Sequence, residues 1–293
     1  MNIVYVILHY MAGKDTIECA ESIFESSKNS EHNVSVVIVD NASPNDSYEL
    51  LKAQYSNNKR VKLIHSDVNL GFARGNNLGF EYAKKNLNPD FIAMLNNDTV
   101  ISQTDFNEVL VRKYKEKKYA VLGPDIITAD GYHQNPGEKQ SWSLKELRTY
   151  RLKKRIRYML SLIGLDSSLG EAVARNKNVY RTQTLQGDRE NTILHGACLI
   201  FSRDYIEKFD GINGDTFLYM EEDILKLYAD YYGFLMLYSS ELSILHKEDV
   251  ATNMEGGSSG RRTRRKYKYL IESSKVYSNL KKEFEKTAKK DEN

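Results

Sequence analysis

The sequence predicts an α/β fold in which a mostly parallel central sheet carries helices on both faces. One observation is the continuous apolar run from Ile3 to Leu8, because a strand that is buried on both faces is apolar throughout. The other is that strand-like and helix-like stretches alternate over residues 1–100. Repeated strand–helix units of this size indicate parallel strands joined by helices that cover the sheet.

The elements of this first part follow in order. After the first strand, a stripe of apolar and small residues from Ile17 to Ser27 has helical spacing, and Asp15 with Glu18 predicts a capping box at its start. A strand, a helix, a strand, a glycine-led helix and a strand are then predicted at 34–39, 47–55, 61–64, 78–85 and 91–95.

Beyond residue 100 the pattern is less regular. Within 132–191, only 144–165 predicts a helix, since its leucines, isoleucines and methionine are mixed with basic residues. A strand, a helix and two strands are then predicted at 193–201, 221–232, 234–238 and 242–245. Gly233 is the predicted stop of the helix before it, because glycine adopts the left-handed conformation common at helix ends.

Composition narrows the class of protein. With 293 residues, 41% of them hydrophobic, the chain can form a sizeable core, and no apolar run approaches the roughly 20 residues that a membrane span needs. Cys19 and Cys198 fit neither a metal spacing nor a disulfide framework, which favours a reducing cytosol. The N-terminus lacks a basic region and a cleavage site, so we expect a first strand there, not a signal peptide, and a cytoplasmic protein.

Two segments are strongly basic although the net charge is only +2. Residues 145–157 hold seven basic and one acidic residue, and residues 261–290 hold twelve and three, so the rest of the chain carries −13. The second segment is a predicted helix from about Arg262 to Lys290, after a linker at 256–260. The segments are either solvated helix faces or contacts with an anionic membrane surface. Nucleic acid is not an expected partner, since the body is acidic and no recognition motif is present.

Asp40 ends the second predicted strand. The carboxyl ends of parallel strands share the edge of the sheet where ligands bind. A carboxylate there can accept a hydrogen bond from the imide N–H of uracil or thymine. The alternative is a turn cap, because Asn41 and Ser43 follow and these residue types favour turns.

The segment Asn69–Asn77 is rich in glycine and asparagine. Gly71 and Gly75 would let the backbone approach a ligand, and Arg74 could neutralise phosphate. The spacing matches neither the phosphate loop of nucleotide hydrolases nor the dinucleotide-binding fingerprint. The segment alone does not identify the ligand.

Asn96-Asn97-Asp98 follows the fourth predicted strand. Carboxylate, amide, water and phosphate oxygens are the ligands that Mg²⁺ and Mn²⁺ prefer, so one aspartate with substrate phosphates suffices for a site. The alternative is a polar turn. His246 follows an apolar run and is a metal candidate only if the fold brings it beside Asp98.

Three consecutive acids, Glu221-Glu222-Asp223, follow an apolar and aromatic stretch. An acidic first turn is favoured by the helix dipole and would explain them without a catalytic role. The alternative is that one of them is a general base whose pKa is raised by its apolar neighbours.

In this order the motifs resemble the inverting glycosyltransferases of family 2, which have the GT-A fold and include bacterial rhamnosyltransferases and related polysaccharide enzymes. The resemblance covers residues 2–130 and 193–255. The segments that carry it are 39–43, 69–77, 95–98, 195–198, 217–225 and His246.

The resemblance implies roles for these residues. Asp40 would bind the pyrimidine base, with Tyr10 near the nucleoside. The residues implied around the rest of the nucleotide-sugar are Asn69, Gly71, Arg74, Asn76, Asn96, Asn97, Asp98, Gly196 and Ala197. Asp98 and His246 would hold Mn²⁺ or Mg²⁺. Glu222 stands at the position of the catalytic base, with Glu221 and Asp223 as alternatives because the register could shift by one residue.

The resemblance also implies an organisation and an activity. A GT-A domain would span 1–255, with a nucleotide-binding half at 1–100, a variable insertion at 132–191 and an acceptor half at 193–255, before a basic tail at 256–293. The implied reaction moves a sugar from a UDP- or dTDP-linked donor to a hydroxyl of a saccharide or lipid-linked acceptor in bacterial surface polysaccharide synthesis. A lipid-linked acceptor would explain a membrane-surface contact of the basic segments, which their charge and interleaved apolar residues suggest as the alternative to solvated helix faces. The alternatives are a nucleotidyltransferase that forms sugar nucleotides and an inactive interaction module.

Overall fold

The computed structural model of the chain describes residues 1–137, 141–163, 183–248 and 259–291. These residues form one sheet of nine strands with helices on both faces, which confirms the predicted α/β fold. The strands are β1 (Asn2–His9), β2 (Asn33–Asp40), β3 (Val61–His65), β4 (Phe91–Asn96), β5 (Thr99–Val100), β6 (Val121–Thr128), β7 (Asp188–Glu190), β8 (Cys198–Ser202) and β9 (Met236–His246). The helices are α1 (Gly13–Ser26), α2 (Ser47–Tyr55), α3 (Gly71–Asn86), α4 (Phe106–Lys117), α5 (Leu144–Leu162), α6 (Arg203–Lys208), α7 (Glu221–Tyr232) and α8 (Ser259–Asp291).

The strand order is β3-β2-β1-β4-β8-β6-β9-β5, and β7 also pairs with β9. Strands β1 to β4, β6 and β9 run in one direction, whereas β5, β7 and β8 are antiparallel to their neighbours. In this register His9 lies opposite Asp40, and Leu8 lies opposite Asn96. The carboxyl ends of β1, β2 and β4 therefore meet at one edge.

Side chains of β1 enter two different cores, which explains its uninterrupted apolar run. Ile3, Tyr5 and Ile7 pack with helices α1, α2 and α4 on one face. Val4 and Val6 pack with α3, α6 and α7 on the other. Alternate residues of a strand point to opposite faces, so a sheet that is covered on both sides needs apolar residues at every position.

Two predictions about helix starts are wrong. Helix α1 begins at Gly13 without a side-chain cap, so Asp15 and Glu18 do not form a capping box. Both carboxylates instead bind Nζ of Lys247, which lies 232 positions after Asp15 and 229 after Glu18 in the sequence. Helix α3 begins at Gly71 and not near Leu78, so most of the predicted glycine-rich loop is helical.

Two strand predictions also differ from the structure. The predicted strands at 234–238 and 242–245 form one strand, β9, with an irregularity in its pairing between Pro124 and Asp125 of β6. The strand predicted at 193–201 begins only at Cys198, because residues 195–197 contact other parts of the edge.

The C-terminal helix α8 is present as predicted and packs on α5 and α7. The rings of Tyr231 and Phe284 stack at 4.1 Å, and Arg151 donates to Ser278 Oγ at 3.0 Å. Most of the predicted linker at 256–260, and residues 138–140 and 164–182 of the predicted variable insertion at 132–191, lie outside the described residues. The proposed domain division stays a prediction. Within the described ranges, no helix is both long enough and apolar enough to cross a bilayer.

Candidate functional site

Asp40 is fully buried at the end of β2 and is held by a histidine. His65 Nδ1 lies 2.7 Å from Asp40 Oδ2, and Asp40 Oδ1 accepts from the backbone N–H of Ser43 at 3.3 Å. The ring of Tyr48 stacks on His65 with centroids 4.7 Å apart. No role was predicted for His65, although it ends β3 at the same edge as Asp40.

A buried network of hydrogen bonds connects His9, at the end of β1, with Asn97, which follows β4. Thr16 Oγ1 donates to the carbonyl of Ala12, so it accepts from His9 Nδ1 at 2.7 Å and from Asn97 Nδ2 at 3.1 Å. Burial lowers the pKa of His9 to about 4, against the opposing effect of Asp40, so His9 is neutral near pH 7. The network orients Asn97 beside Asp98 without adding a charge.

The start of α3 is fastened to the same edge by Asn41. Its side chain accepts from the backbone N–H of Leu70 at 2.8 Å and donates to Asn69 Oδ1 at 3.2 Å. Gly71 has φ +80°, and a Cβ there would lie 2.2 Å from the carbonyl oxygen of Phe217. Only glycine therefore fits this position, where α3 meets the segment that precedes the acids.

Three further predicted binding residues lie near this edge. Tyr10 directly follows β1. Arg74 is exposed, and its Nε donates to the carbonyl of Gly214 at 2.7 Å. Asn76 is buried, with Nδ2 bonded to the carbonyl of Phe72 at 3.0 Å and with no partner for Oδ1 in the part of the chain that the structure describes. Their nucleotide-binding roles stay predictions.

Asp98 and His246 lie side by side, as a metal site would require. His246 Nδ1 is 2.7 Å from Gln134 Oε1, an acceptor, so Nδ1 is the donor in this bond and Nε2 is the ring nitrogen left to bind a cation. Nε2 lies 3.3 Å from Asp98 Oδ1. Bonds of about 2.1 Å at right angles place two ligand atoms about 3 Å apart, so the pair fits adjacent positions on one cation.

These two residues alone do not complete a cation site. Among residues 1–137, 141–163, 183–248 and 259–291, no three His, Cys, Asp or Glu side chains gather in a metal-binding group. Any ion held by Asp98 and His246 would need substrate or water oxygens as its remaining ligands. That an ion binds here stays a prediction.

His195, for which no role was predicted, is a neighbour of Asp98 and His246. Its ring centroid is 5.8 Å from that of His246, and its Nδ1 accepts from the backbone N–H of Ala197 at 3.1 Å. Burial, together with His246, lowers the pKa of His195 to about 4 against the effect of Asp98. A neutral imidazole with its proton on Nε2 therefore lines the site.

Backbone strain marks the start of the acid triplet. Tyr219 and Met220 have φ of +74° and +69°, which non-glycine residues rarely adopt. Helix α7 begins immediately afterwards, with Glu221 to Asp223 in its first turn. Strained residues of this kind persist where surrounding contacts hold them and are frequent at functional sites.

Each of the three acids has a partner from a different part of the chain. Glu221 Oε1 accepts from Thr216 Oγ1 at 2.8 Å, and Asp223 Oδ1 accepts from Trp142 Nε1 at 2.7 Å. Glu222 Oε1 accepts from the backbone N–H of Gly196 at 3.1 Å. Gly196 precedes Ala197, whose carbonyl accepts from the backbone N–H of Asn96 at the end of β4. Glu222 is thus the acid that faces this edge of the sheet.

Burial also makes two of these carboxylates more basic. It raises the pKa of Glu221 to about 7, with a further contribution from Glu222. It raises the pKa of Glu222 above its ordinary value, although the N–H of Gly196 opposes the shift. A carboxylate with a raised pKa is a better proton acceptor.

The arrangement as a whole brings the predicted residues together. Asp40 ends β2, Asn97 and Asp98 follow β4, His246 ends β9 beside Asp98, and Glu222 bonds to Gly196, the neighbour of the residue that bonds to Asn96. The family model described as Glycosyl transferase family 2 matches residues 5–209 of the 293-residue chain. This chain belongs to glycosyl transferase family 2.

Two curated relatives of this family 2 glycosyltransferase cover part of it. The low-salt glycan biosynthesis hexosyltransferase Agl10 of Haloferax volcanii is 26% identical over 186 residues, which are 64% of this chain and 50% of Agl10. Glycosyltransferase GlyG of Streptococcus pneumoniae is 28% identical over 133 residues, which are 45% of this chain and 40% of GlyG. The chain therefore spans half or less of the length of these relatives.

Solved structures show the same fold at low identity. The crystal structure of S. aureus TarS 1–349 in complex with UDP-GlcNAc matches with a TM-score of 0.52 and 14% identity, covering 88% of this chain and 62% of that one. TarS 1–349 alone matches with a TM-score of 0.51 and 14% identity, covering 84% and 60%. The likeness confirms the GT-A fold that the motifs implied.

Proposed function

We propose that this family 2 glycosyltransferase transfers a sugar from a UDP- or dTDP-linked donor to a hydroxyl of a saccharide or lipid-linked acceptor, with inversion. The observation that carries the proposal is the different placement of three consecutive acids. Glu221 and Asp223 bond to the side chains of Thr216 and Trp142, whereas Glu222 bonds to the backbone N–H of Gly196, next to Ala197, whose carbonyl accepts from Asn96. Glu222 is therefore assigned as the base.

Several observations support a nucleotide-sugar donor. The buried Asp40 offers a carboxylate at the edge where nucleotides bind in open α/β sheets. The TarS structures hold UDP-GlcNAc or UDP, and Agl10 is a hexosyltransferase of glycan biosynthesis. A surface polysaccharide or glycan acceptor is proposed on the same grounds.

Mn²⁺ or Mg²⁺ is the proposed cofactor, held by Asp98 Oδ1 and His246 Nε2. When bound, the ion would neutralise charge on the diphosphate leaving group. Gln134 fixes the tautomer of His246, and Asn97, held by Thr16, lies beside the aspartate. Such outer contacts keep ligand atoms oriented.

In the proposed reaction Glu222 takes the proton of the acceptor hydroxyl while that oxygen attacks the anomeric carbon. The bond from the anomeric carbon to the diphosphate breaks on the opposite side, so configuration inverts and the nucleoside diphosphate departs. A single carboxylate suffices, unlike the pair that glycoside hydrolysis needs. Positioned proton transfer of this kind contributes about 10²- to 10⁴-fold.

The test compares two isosteric variants one residue apart. Glu222→Gln should lower turnover of UDP- and dTDP-sugars by about 10²- to 10⁴-fold, because the amide cannot accept the proton. Glu221→Gln is the control, since its amide oxygen can still accept from Thr216, and its turnover should stay within a few-fold of wild type. Near wild-type rates for Glu222→Gln would exclude Glu222 as the base.

The reaction products separate the alternatives. Release of nucleoside diphosphate from the donor supports sugar transfer, whereas release of pyrophosphate from a nucleoside triphosphate and a sugar phosphate supports a nucleotidyltransferase. No product with any donor in the presence of Mn²⁺ would favour an inactive interaction module.

A further inference from the structure

Helix α5 exposes a continuous apolar stripe to solvent. Leu152, Ile156, Met159 and Ile163 at its end are 58%, 52%, 63% and 68% exposed. Their spacing of four, three and four residues places them on one helix face. The opposite face is buried, as Leu147 and Ser161 show. Single exposed apolar side chains are ordinary, but a row of them on one face indicates a contact surface.

Basic residues border this stripe on both sides. At 100° per residue, Lys153 and Arg157 lie on one side of the stripe, and Arg148 and Arg155 lie on the other. Residues 152–163 contain four basic residues and no acidic one. The helix therefore combines an apolar face with positively charged flanks.

The fold brings a second basic segment to the same place. Helix α8 runs antiparallel to α5, because Arg151 bonds to Ser278 at 3.0 Å and Arg264 bonds to the carbonyl of Ser161 at 3.2 Å. Residues 261–268 thus lie alongside the apolar end of α5. They hold six basic residues and no acidic one.

We propose that residues 152–163 and 261–268, together the α5–α8 surface, bind in the plane of an anionic lipid bilayer. The apolar stripe would enter the boundary between headgroups and acyl chains, as amphipathic helices with basic flanks do. The basic residues would attract the surface through the negative potential of anionic lipids. Charge complementarity selects a bilayer as the occupant, because nothing acidic in either segment would oppose it.

The position of this surface connects it with the acceptor, and this step rests on the proposed function. Tyr269 stacks on Phe217 with centroids 4.8 Å apart, and Lys266 Nζ lies 5.8 Å from the centroid of the Tyr219 ring. The α5–α8 surface therefore adjoins the segment that leads into Glu222. A bilayer bound there would present a lipid-linked acceptor near the base.

Vesicle sedimentation of the full chain tests the proposal without requiring turnover. Wild type should sediment with vesicles made of equal parts phosphatidylcholine and phosphatidylglycerol. About 1 M NaCl should weaken this binding, because the Debye length is then only about 3 Å. Leu152→Ser/Ile156→Ser/Met159→Ser should lower the partition coefficient about tenfold or more. Lys153→Glu/Arg155→Glu should lower it by a similar factor.

Matched controls come from isolated surface residues elsewhere. Leu50→Ser, at a residue that is 43% exposed on α2, and Lys59→Glu should bind vesicles as wild type does. All variants should turn over a water-soluble acceptor at the wild-type rate, which shows that they fold. Wild-type chain that turns over its acceptor but does not bind anionic vesicles would thus overturn this inference and leave the proposed function standing.

Three other outcomes would also overturn the proposal. One is equal binding to vesicles of phosphatidylcholine alone, and another is unchanged binding of the triple serine variant. The third is a dimer of wild type that the triple serine variant converts to a monomer, since the stripe would then join two copies of the chain.

Discussion

The two sides of the candidate site are held in different ways. On the donor side, Asp40 ends strand β2 and Asp98 lies two residues after β4, so the pairing of these strands with β1 sets their positions. On the acid side, three consecutive carboxylates are held by Thr216, which lies five residues before Glu221, and by Gly196 and Trp142 from distant segments. The first side depends on sheet register and the second on the packing of loops and helices. Changes on the two sides should therefore have different kinetic consequences.

The largest effect is expected on the donor side, from Asp98→Asn. It should lower kcat/KM at least about a hundredfold and raise the Mn²⁺ concentration for half-maximal rate, because a carboxamide is a poorer ligand than a carboxylate for a hard cation. Initial rates across a Mn²⁺ titration measure this. Asp210→Asn, at an exposed aspartate paired with Lys84, is the control and should behave as wild type. An unchanged Mn²⁺ dependence would remove Asp98 from the metal site.

On the acid side, Gly196→Ala should displace the base without touching the donor side. A Cβ at this position would lie 2.7 Å from Glu222 Oε1. We expect kcat to fall about ten- to a hundredfold with little change in the KM for the donor, since small misplacements of a catalytic group are costly. Gly260→Ala, where the nearest atom would be 3.8 Å away, is the control. A change in donor KM alone would contradict the separation of the two sides.

Gly71→Ala tests a contact at which the two sides meet. The substitution combines φ +80° with a Cβ 2.2 Å from the Phe217 carbonyl, so we expect the free energy of unfolding to fall by about 2 kcal/mol or more. Gly233→Ala is a matched control, because Gly233 also has positive φ, at +69°, with nothing within 4 Å of a Cβ. Urea denaturation should show a smaller loss for Gly233→Ala. Equal losses would mean that the contact with Phe217 contributes nothing beyond backbone strain.

The smallest expected effect is a pH dependence of stability from Glu221. Its pKa is raised from 4.5 to about 7, so the folded state keeps a proton that the unfolded state releases. The contribution of Glu221 to the free energy of unfolding should therefore fall as pH rises from about 4.5 to 7. Glu221→Gln removes that titration, and its unfolding free energy should depend less on pH between about 4.5 and 7. Parallel pH profiles of the variant and wild type would contradict the burial of a protonated Glu221.

Local patterns in the sequence were enough to place the strand ends. Asp40 and Asn96–Asp98 each follow a run of buried apolar residues, and both runs are strands in the structure. The start of α3 was predicted too late, because Gly71 and Gly75 resemble loop residues. Gly75 and Gly79 lie where the helix meets the sheet, since a Cβ on Gly79 would lie 2.4 Å from Val6. That proximity involves residues more than seventy positions apart and leaves no periodic pattern.

Two of the histidines for which no role was predicted show the same limit. His65 and His195 are single residues that no spacing distinguishes from other histidines. His65 could have been recognised from its position at the end of a strand on the shared edge. His195 could not, because His246, its neighbour in space, is fifty-one positions away in the sequence and lies at the end of β9.

By itself the sequence determined the α/β architecture, the order of the family motifs and the presence of two basic segments, because periodicity and strand-end chemistry are properties of neighbouring residues. Only the tertiary structure decided which of three adjacent acids faces the sheet edge and that the two basic segments lie together. Both depend on contacts between distant segments, such as Glu222 with Gly196 and Arg264 with Ser161. Packing selects such contacts over the whole chain, and no local pattern encodes them.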